Sequence, residues 1–227
     1  MQRLIVTLDG PAGSGKSTLA RQLAQRLGVE FLDTGAMYRA LAAMALMRGI
    51  DVKSEAYAVV ELARHRPIRF DWASDPPGVY VGETEVSERL RDSDVTEAAS
   101  PIAAIGAVRQ VLVEAQRNIG KEHPRLVSEG RDQGSVVFPD ADVKFYLDAR
   151  PAVRAQRRAD QLRADGRHAD LEAIRQSILD RDRRDANRED GPLICPEDAK
   201  RIDTSDMALE AVLDELERQV RAAITPA

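Results

Sequence analysis

The sequence predicts an α/β fold, a central parallel sheet flanked by helices, from its first fifty residues. Leu4-Ile5-Val6-Thr7-Leu8-Asp9 is a short apolar run rich in β-branched residues, the pattern of a buried strand. Thr18–Leu27 sets Leu19, Ala20, Leu23, Ala24 and Leu27 at helical spacing and stops at Gly28. Val29–Leu32 is strand-like again, and Ala36–Arg48 is helical up to Gly49. Strand and helix alternate as they do in parallel sheets.

The middle of the chain departs from that alternation. Ile68–Trp72 and Val79–Val81 read as two strands joined by a turn at Ala73–Gly78 that holds Pro76 and Pro77. They form a small hairpin, inserted away from the parallel sheet. A helix over Ala103–Asn118 and strands at Arg125–Ser128 and Val143–Asp148 resume the pattern, followed by a helix with Pro151 in its first turn. Val153–Leu162 and Leu171–Leu179 keep helical periodicity through a densely charged region, with a short connection at Gly166. Arg201–Asp203 is a last strand, and Ser205 is placed to cap a final helix over Met207–Ile224.

The totals narrow the class of function. The chain has 227 residues, 43% hydrophobic and 31% charged, and a net charge of −5. That balance argues against a general nucleic-acid binder. No apolar run approaches the roughly 18 residues of a membrane span, so no membrane partner is expected. Met1-Gln2-Arg3 leads straight into a strand-like run, so no signal peptide is expected, and the lone Cys195 fits a reducing compartment. The expected location is cytoplasmic and the expected state a monomer. Of the basic residues, 28 are arginine and five are lysine. Codon bias accounts for such a ratio, and so does bidentate phosphate binding, which arginine suits.

Gly10-Pro11-Ala12-Gly13-Ser14-Gly15-Lys16-Ser17 matches the phosphate-binding loop G-x-x-x-x-G-K-[ST], after a strand and before a helix as that motif requires. The glycines let successive N–H groups turn inward toward phosphate oxygens, and the helix begun by Thr18 adds the positive end of its dipole. Lys16 is a mobile cation for the β and γ phosphates, and the Ser17 hydroxyl is a ligand for Mg²⁺. The loop therefore predicts a nucleoside triphosphate, ATP being the expected donor, and says nothing of the acceptor.

Three further stretches lie at strand ends or on one helix face. Asp33-Thr34-Gly35-Ala36-Met37-Tyr38-Arg39 follows the second strand; Thr34 is either a helix cap or an anion-binding hydroxyl, and Arg39 either reaches the same anion or lies on the surface. Glu129-Gly130-Arg131-Asp132-Gln133-Gly134 follows the strand at Arg125–Ser128 and is either a salt-bridged turn or part of a site. If helical, Arg181, Asp185 and Arg188 fall at i, i+4 and i+7 on one face, which is otherwise a solvated stripe of Asp–Arg pairs.

Together these stretches resemble the bacterial cytidylate kinases, as do Val136-Val137-Phe138-Pro139-Asp140-Ala141 and the hairpin at Ile68–Val81. The resemblance implies a P-loop kinase with an inserted monophosphate-binding domain and a short helical lid, transferring a phosphoryl group from ATP to CMP or dCMP. It implies that Thr34, Arg39, Arg131 and Arg188 hold the acceptor phosphate, that Ser100, Arg109 and Asp132 surround the cytosine, and that Arg181 and Asp185 bind the sugar. Residues 1–33, 101–152 and 191–227 would form the core, 34–100 the monophosphate-binding region and 153–190 the lid. Gln133 departs from the family, which usually has Met or Ile there. It either faces the base or packs sideways.

Transfer to an ionised phosphate oxygen needs no strong general base, so positioning and charge neutralisation carry the chemistry. Arg157, with Arg154 and Arg158 beside it, either reaches ATP from the lid or forms a solvated stripe. Asp33 is an outer-shell candidate for Mg²⁺. Other small-molecule kinases share the loop and lid but not the Arg131-Asp132 turn with a long insertion, and no Asn-Lys-x-Asp sequence supports a GTPase. The histidines at 65, 123 and 168 have no convergent partners in the sequence and receive no role.

Overall fold

The computed structural model describes residues 3–74, 76–164 and 166–224; Met1 and Gln2, on which the signal-peptide expectation partly rests, lie outside the described residues. In chain order the elements are β1 (Leu4–Asp9), α1 (Lys16–Leu27), β2 (Glu30–Asp33), α2 (Thr34–Met47), α3 (Ala56–His65), β3 (Ile68–Asp71), β4 (Gly78–Val81) and β5 (Thr84–Glu85). They continue with α4 (Ser93–Ile102), α5 (Gly106–Glu122), β6 (Arg125–Glu129), β7 (Val143–Asp148), α6 (Pro151–Ala164), α7 (Leu171–Ala186), β8 (Lys200–Asp203) and α8 (Leu209–Ile224).

Two compact units result, residues 1–32 with 123–227, and Asp33–Glu122. The first holds the five-stranded sheet, ordered β2-β6-β1-β7-β8, in which β1 pairs in parallel with β6 and β7, and β7 with β8. All six residues of β1 are buried, which is why its sequence runs apolar without alternation: both sheet faces are covered. Leu19 and Leu23 of α1 and Val212, Leu213, Leu216 and Val220 of α8 pack with Leu4, Val6, Leu8 and Phe145. The chain leaves β1 for the edge strand β2 and later returns to insert β6 between them. The strand order thus reverses beside β1, and the carboxyl ends of β1 and β6 frame the crevice where α/β sheets hold ligands.

The second unit carries a three-stranded antiparallel sheet, β3-β4-β5, with Ile68 opposite Val81 and Val81 opposite Thr84. Its interior includes Met37, Leu41, Val59, Val81, Val95, Ile102 and Leu112. Where the sequence division ends at residue 100, this unit runs on through α5 to Glu122.

Several boundaries differ from the sequence reading. The helix expected over Ala103–Asn118 spans Gly106–Glu122, and α4 precedes it as a separate helix carrying Pro101 near its end. Helix α3 and strand β5 had no assignment; β5 is two residues long, too short for a period to register. Ser205 does not cap α8. Its Oγ accepts the Arg150 N–H at 2.8 Å, at the start of α6, because the turn after β8 folds back onto that helix, and α8 begins only at Leu209.

Candidate functional site

The phosphate loop is built on three glycines whose backbone angles a side chain rarely adopts. Gly10 has φ 146°, and a Cβ there would lie 2.0 Å from the Leu147 carbonyl oxygen. Gly13 and Gly15, at φ 78° and 92°, are left-handed, and Gly15 caps α1. The Ser14 hydroxyl donates to the Pro11 carbonyl at 3.0 Å, and Lys16 Nζ donates to the same oxygen at 2.9 Å. Burial, and after it the Arg131 charge, pull the Lys16 ammonium down to about 7. An anion with several negative charges is what such a buried cation lacks.

The carboxylate beside this loop was not singled out in the sequence. Ser17 Oγ donates to Glu129 Oε1 at 2.7 Å, joining the first turn of α1 to the end of β6. Glu129 is 4% exposed. In sequence it is only the first residue of the Arg131-Asp132 turn. Its place next to Ser17 depends on β6 lying beside β1, with Leu8 opposite Glu129. A hydroxyl and a carboxylate this close are hard oxygen donors of the kind Mg²⁺ takes, usually one or two from protein and the rest from water and phosphate.

Arg131 and the end of α7 make a charged cluster. Arg131 Nε donates to Asp185 Oδ2 at 2.9 Å, Arg188 pairs with Asp185 Oδ1, and Arg181 Nε lies 4.0 Å from Oδ2. Helix α7 ends at Ala186, so Arg188 is not on a helical face, yet it still meets the carboxylate. Burial would raise the Asp185 carboxyl, but Arg131, Arg188 and Arg181 hold it below the usual carboxylate range. Burial likewise pulls Arg131 down, and Asp185 and Glu129 more than offset it. Three cations around one anion leave net positive charge, suited to a phosphate.

Asp132 is 6% exposed, and its carbonyl accepts from the N–H groups of Val136 and Val137 in a π-helical turn at Gln133–Val137. Gln133, 1% exposed, packs inward: its Oε1 accepts from Ser128 Oγ at 2.7 Å, and its Nε2 lies 3.5 Å from Asp132 Oδ1.

The lid arginines are committed to the protein. Arg154 donates to the carbonyls of Ala149 and Ala12 and pairs with Asp182 at 2.6 Å, while Asp182 accepts the Ala12 N–H at 3.2 Å. Arg157 bonds the Thr204 hydroxyl at 2.9 Å and the Thr204 carbonyl at 2.6 Å, with the Ser14 carbonyl at 3.4 Å. Arg158 donates to Gln161. The ties of Arg154 to Ala12 and Asp182 and of Arg157 to Thr204 and Ser14 are not visible at helical spacing, because those partners come from distant segments; only the Arg158–Gln161 bond lies within one helical turn.

Asp33, Thr34, Arg39, Ser100 and Arg109 belong to the second unit. Asp33, rather than Thr34, caps α2: its Oδ1 accepts the Ala36 N–H at 2.9 Å, and its Oδ2 pairs with Arg39 at 2.7 Å. Both oxygens are thus engaged within the unit, and the carboxylate that touches Ser17 is that of Glu129. Thr34 is the first residue of α2 and buried, and Ser100 is half-buried in α4. Arg109 is buried in α5, with its guanidinium 5.8 Å from the centre of the Tyr38 ring.

Comparison with known proteins adds the family. The cytidylate kinase family model matches residues 6–222. The chain is 43% identical over 216 residues to a cytidylate kinase of Rhodococcus jostii (strain RHA1), covering 94% of this chain and 93% of that protein. It is 41% identical over 216 residues to one of Clostridioides difficile (strain 630), covering 95% and 97%. Among solved structures, an uncharacterized protein from Eubacterium ventriosum ATCC 27560 shares the fold at a TM-score of 0.53 and 11% identity, covering 97% of this chain and 99% of that one.

Proposed function

The chain belongs to the cytidylate kinase family and is an ATP-dependent phosphotransferase acting on CMP and dCMP, and from that premise we propose which of its residues carry each part of the transfer. The observation that carries the assignment is the placing of two charged centres in one unit: the Lys16–Ser17–Glu129 group, and the Arg131–Asp185–Arg188 cluster.

The N–H groups of Gly13–Thr18 cradle the ATP phosphates, with Gly10, Pro11, Ala12, Ser14 and Gly15 shaping the loop. Lys16 leaves the Pro11 carbonyl for the β and γ phosphates. Ser17 and Glu129 would hold Mg²⁺, an ion that a hydroxyl and a carboxylate oxygen suit. When bound, the ion neutralises charge on the phosphate oxygens. Arg131 and Arg188 exchange part of their hold on Asp185 for the acceptor phosphate, and Asp185 with Arg181 binds the sugar. Asp132 accepts from the exocyclic amine of cytosine, where uracil offers a carbonyl that a buried carboxylate repels. In the second unit, Thr34 and Arg39 are the remaining phosphate contacts and Ser100 and Arg109 the remaining base contacts. Arg157 supports the reaction by bracing the loop at Ser14 against Thr204. The single cysteine supports a reducing, cytoplasmic setting.

One acceptor panel tests the reading: ATP and Mg²⁺ with CMP, dCMP, UMP, AMP, dTMP and shikimate, following ADP. CMP and dCMP turn over fastest. Faster turnover of any other acceptor overturns the assignment of Asp132.

A further inference from the structure

Asp9 is the last residue of β1, directly before the phosphate loop, and it is 1% exposed. Its Oδ1 accepts the Gln133 N–H at 2.8 Å and its Oδ2 the Gly134 N–H at 2.7 Å. These amides follow immediately on Arg131 and Asp132. A carboxylate that receives two successive amides fixes the direction of the chain between them, which a single hydrogen bond leaves free to rotate. The turn is also pressed onto β1: a Cβ at Gly134 would lie 2.9 Å from Thr7 Oγ1 and 3.4 Å from Asp9 Oδ2. One residue further on, Gly10 packs against the Leu147 carbonyl with no room for a side chain. A single buried carboxylate therefore stands at the root of the phosphate loop and holds the turn that carries Arg131 and Asp132.

We propose that Asp9 is a positioning residue that couples the phosphate loop to the Arg131–Asp132 turn, so that triphosphate binding and acceptor recognition are set together. The inference rests on the reading of Asp132 as the residue that recognises the base. Asp9 touches neither substrate. It acts through two backbone amides, and a displacement of Gly10 as the loop closes on phosphate is passed to the peptide after Asp132.

The variant Asp9→Asn keeps the size of the side chain but turns an NH₂ toward one of the two amides, which loses its acceptor. Loss of one such bond predicts about a tenfold rise in KM for CMP and about a tenfold fall in the CMP-over-UMP ratio of kcat/KM. KM for ATP changes less than about threefold, because the loop's own amides and Lys16 remain. Equal losses for ATP and CMP with the base ratio intact would mean that Asp9 is only a brace, and would overturn the proposal. The wild-type protein offers a readout that needs no variant: amide exchange at Gln133 and Gly134, with and without a non-hydrolysable ATP analogue. Slower exchange with the analogue is expected, and unchanged exchange overturns the coupling even if the Asn variant does not fold. Asp132→Asn separates this inference from its premise. If that variant keeps the CMP preference, the base reading fails; if it loses the preference while Asp9→Asn keeps it, only the positioning role of Asp9 fails.

Discussion

Ser17 Oγ and Glu129 Oε1 stand 2.7 Å apart, one at the start of α1 and the other at the end of β6. A hydroxyl and a carboxylate this close are the oxygen donors proposed above to hold Mg²⁺. Glu129→Gln keeps the shape and removes the charge. The Mg²⁺ concentration for half-maximal activity is expected to rise at least about tenfold, with KM for CMP little changed. A Mg²⁺ titration at saturating nucleotides checks this, and an unmoved midpoint counts against Glu129.

Asp185 holds Arg131 and Arg188 together in a mostly buried cluster. Asp185→Ala leaves those guanidiniums without their carboxylate, a change that costs about 3 kcal/mol or more. The acceptor phosphate would replace part of the lost charge. Melting curves should therefore show a lower Tm for the variant but a larger rise on adding CMP than in wild type. Equal CMP-induced shifts in both proteins would show that the arginines do not meet the acceptor.

Gln133 and Asp132 separate by where their side chains go. Asp132→Asn is expected to reduce the CMP-over-UMP preference by at least about a hundredfold, since its side-chain amide can accept from the cytosine amine or, turned over, donate to the uracil carbonyl. Gln133→Met leaves the Ser128 hydroxyl without its partner and is expected to cost about 1–3 kcal/mol of stability. The preference should change far less than with Asp132→Asn, because Gln133 is turned inward. Parallel kinetics and denaturant melts distinguish the two effects.

Asp9 gives the protein a pH dependence of known sign. Burial raises its carboxyl to about 7 against the lowering pull of the Gly134 and Gln133 amides; Asp132 adds to the rise and Lys16 opposes it. Its unfolded value is near 4, so between about pH 4 and 7 the native state binds the extra proton. Stability from this group is therefore lost as pH rises through that window. Asp9→Asn removes the titration, and the Tm of the variant relative to wild type should climb steadily from pH 4.5 to 7.5. A difference that stays flat with pH contradicts the raised carboxyl.

Local pattern was enough for most of the first unit. The apolar run at Leu4–Asp9, the helical spacing after it and the glycines of the loop are short-range features, and each follows from burial period or backbone sterics. The second unit was less legible. In α3 and α4 the apolar residues answer to a small local interior and no side-chain hydrogen bond caps the first turn, and β5 is only Thr84–Glu85.

The sequence by itself determined the donor chemistry, the α/β class and the family, because these reside in contiguous motifs whose geometry is local. Tertiary structure decided which carboxylate serves which partner. Glu129 meets Ser17 only because β6 inserts beside β1, and Asp9 meets Gln133 and Gly134 across the same reversal of strand order. Asp33 instead spends both oxygens on its own helix and on Arg39. Charged side chains a hundred residues apart carry no periodic signal of their meeting, since the sheet's strand order, and not their spacing along the chain, brings them within hydrogen-bond reach.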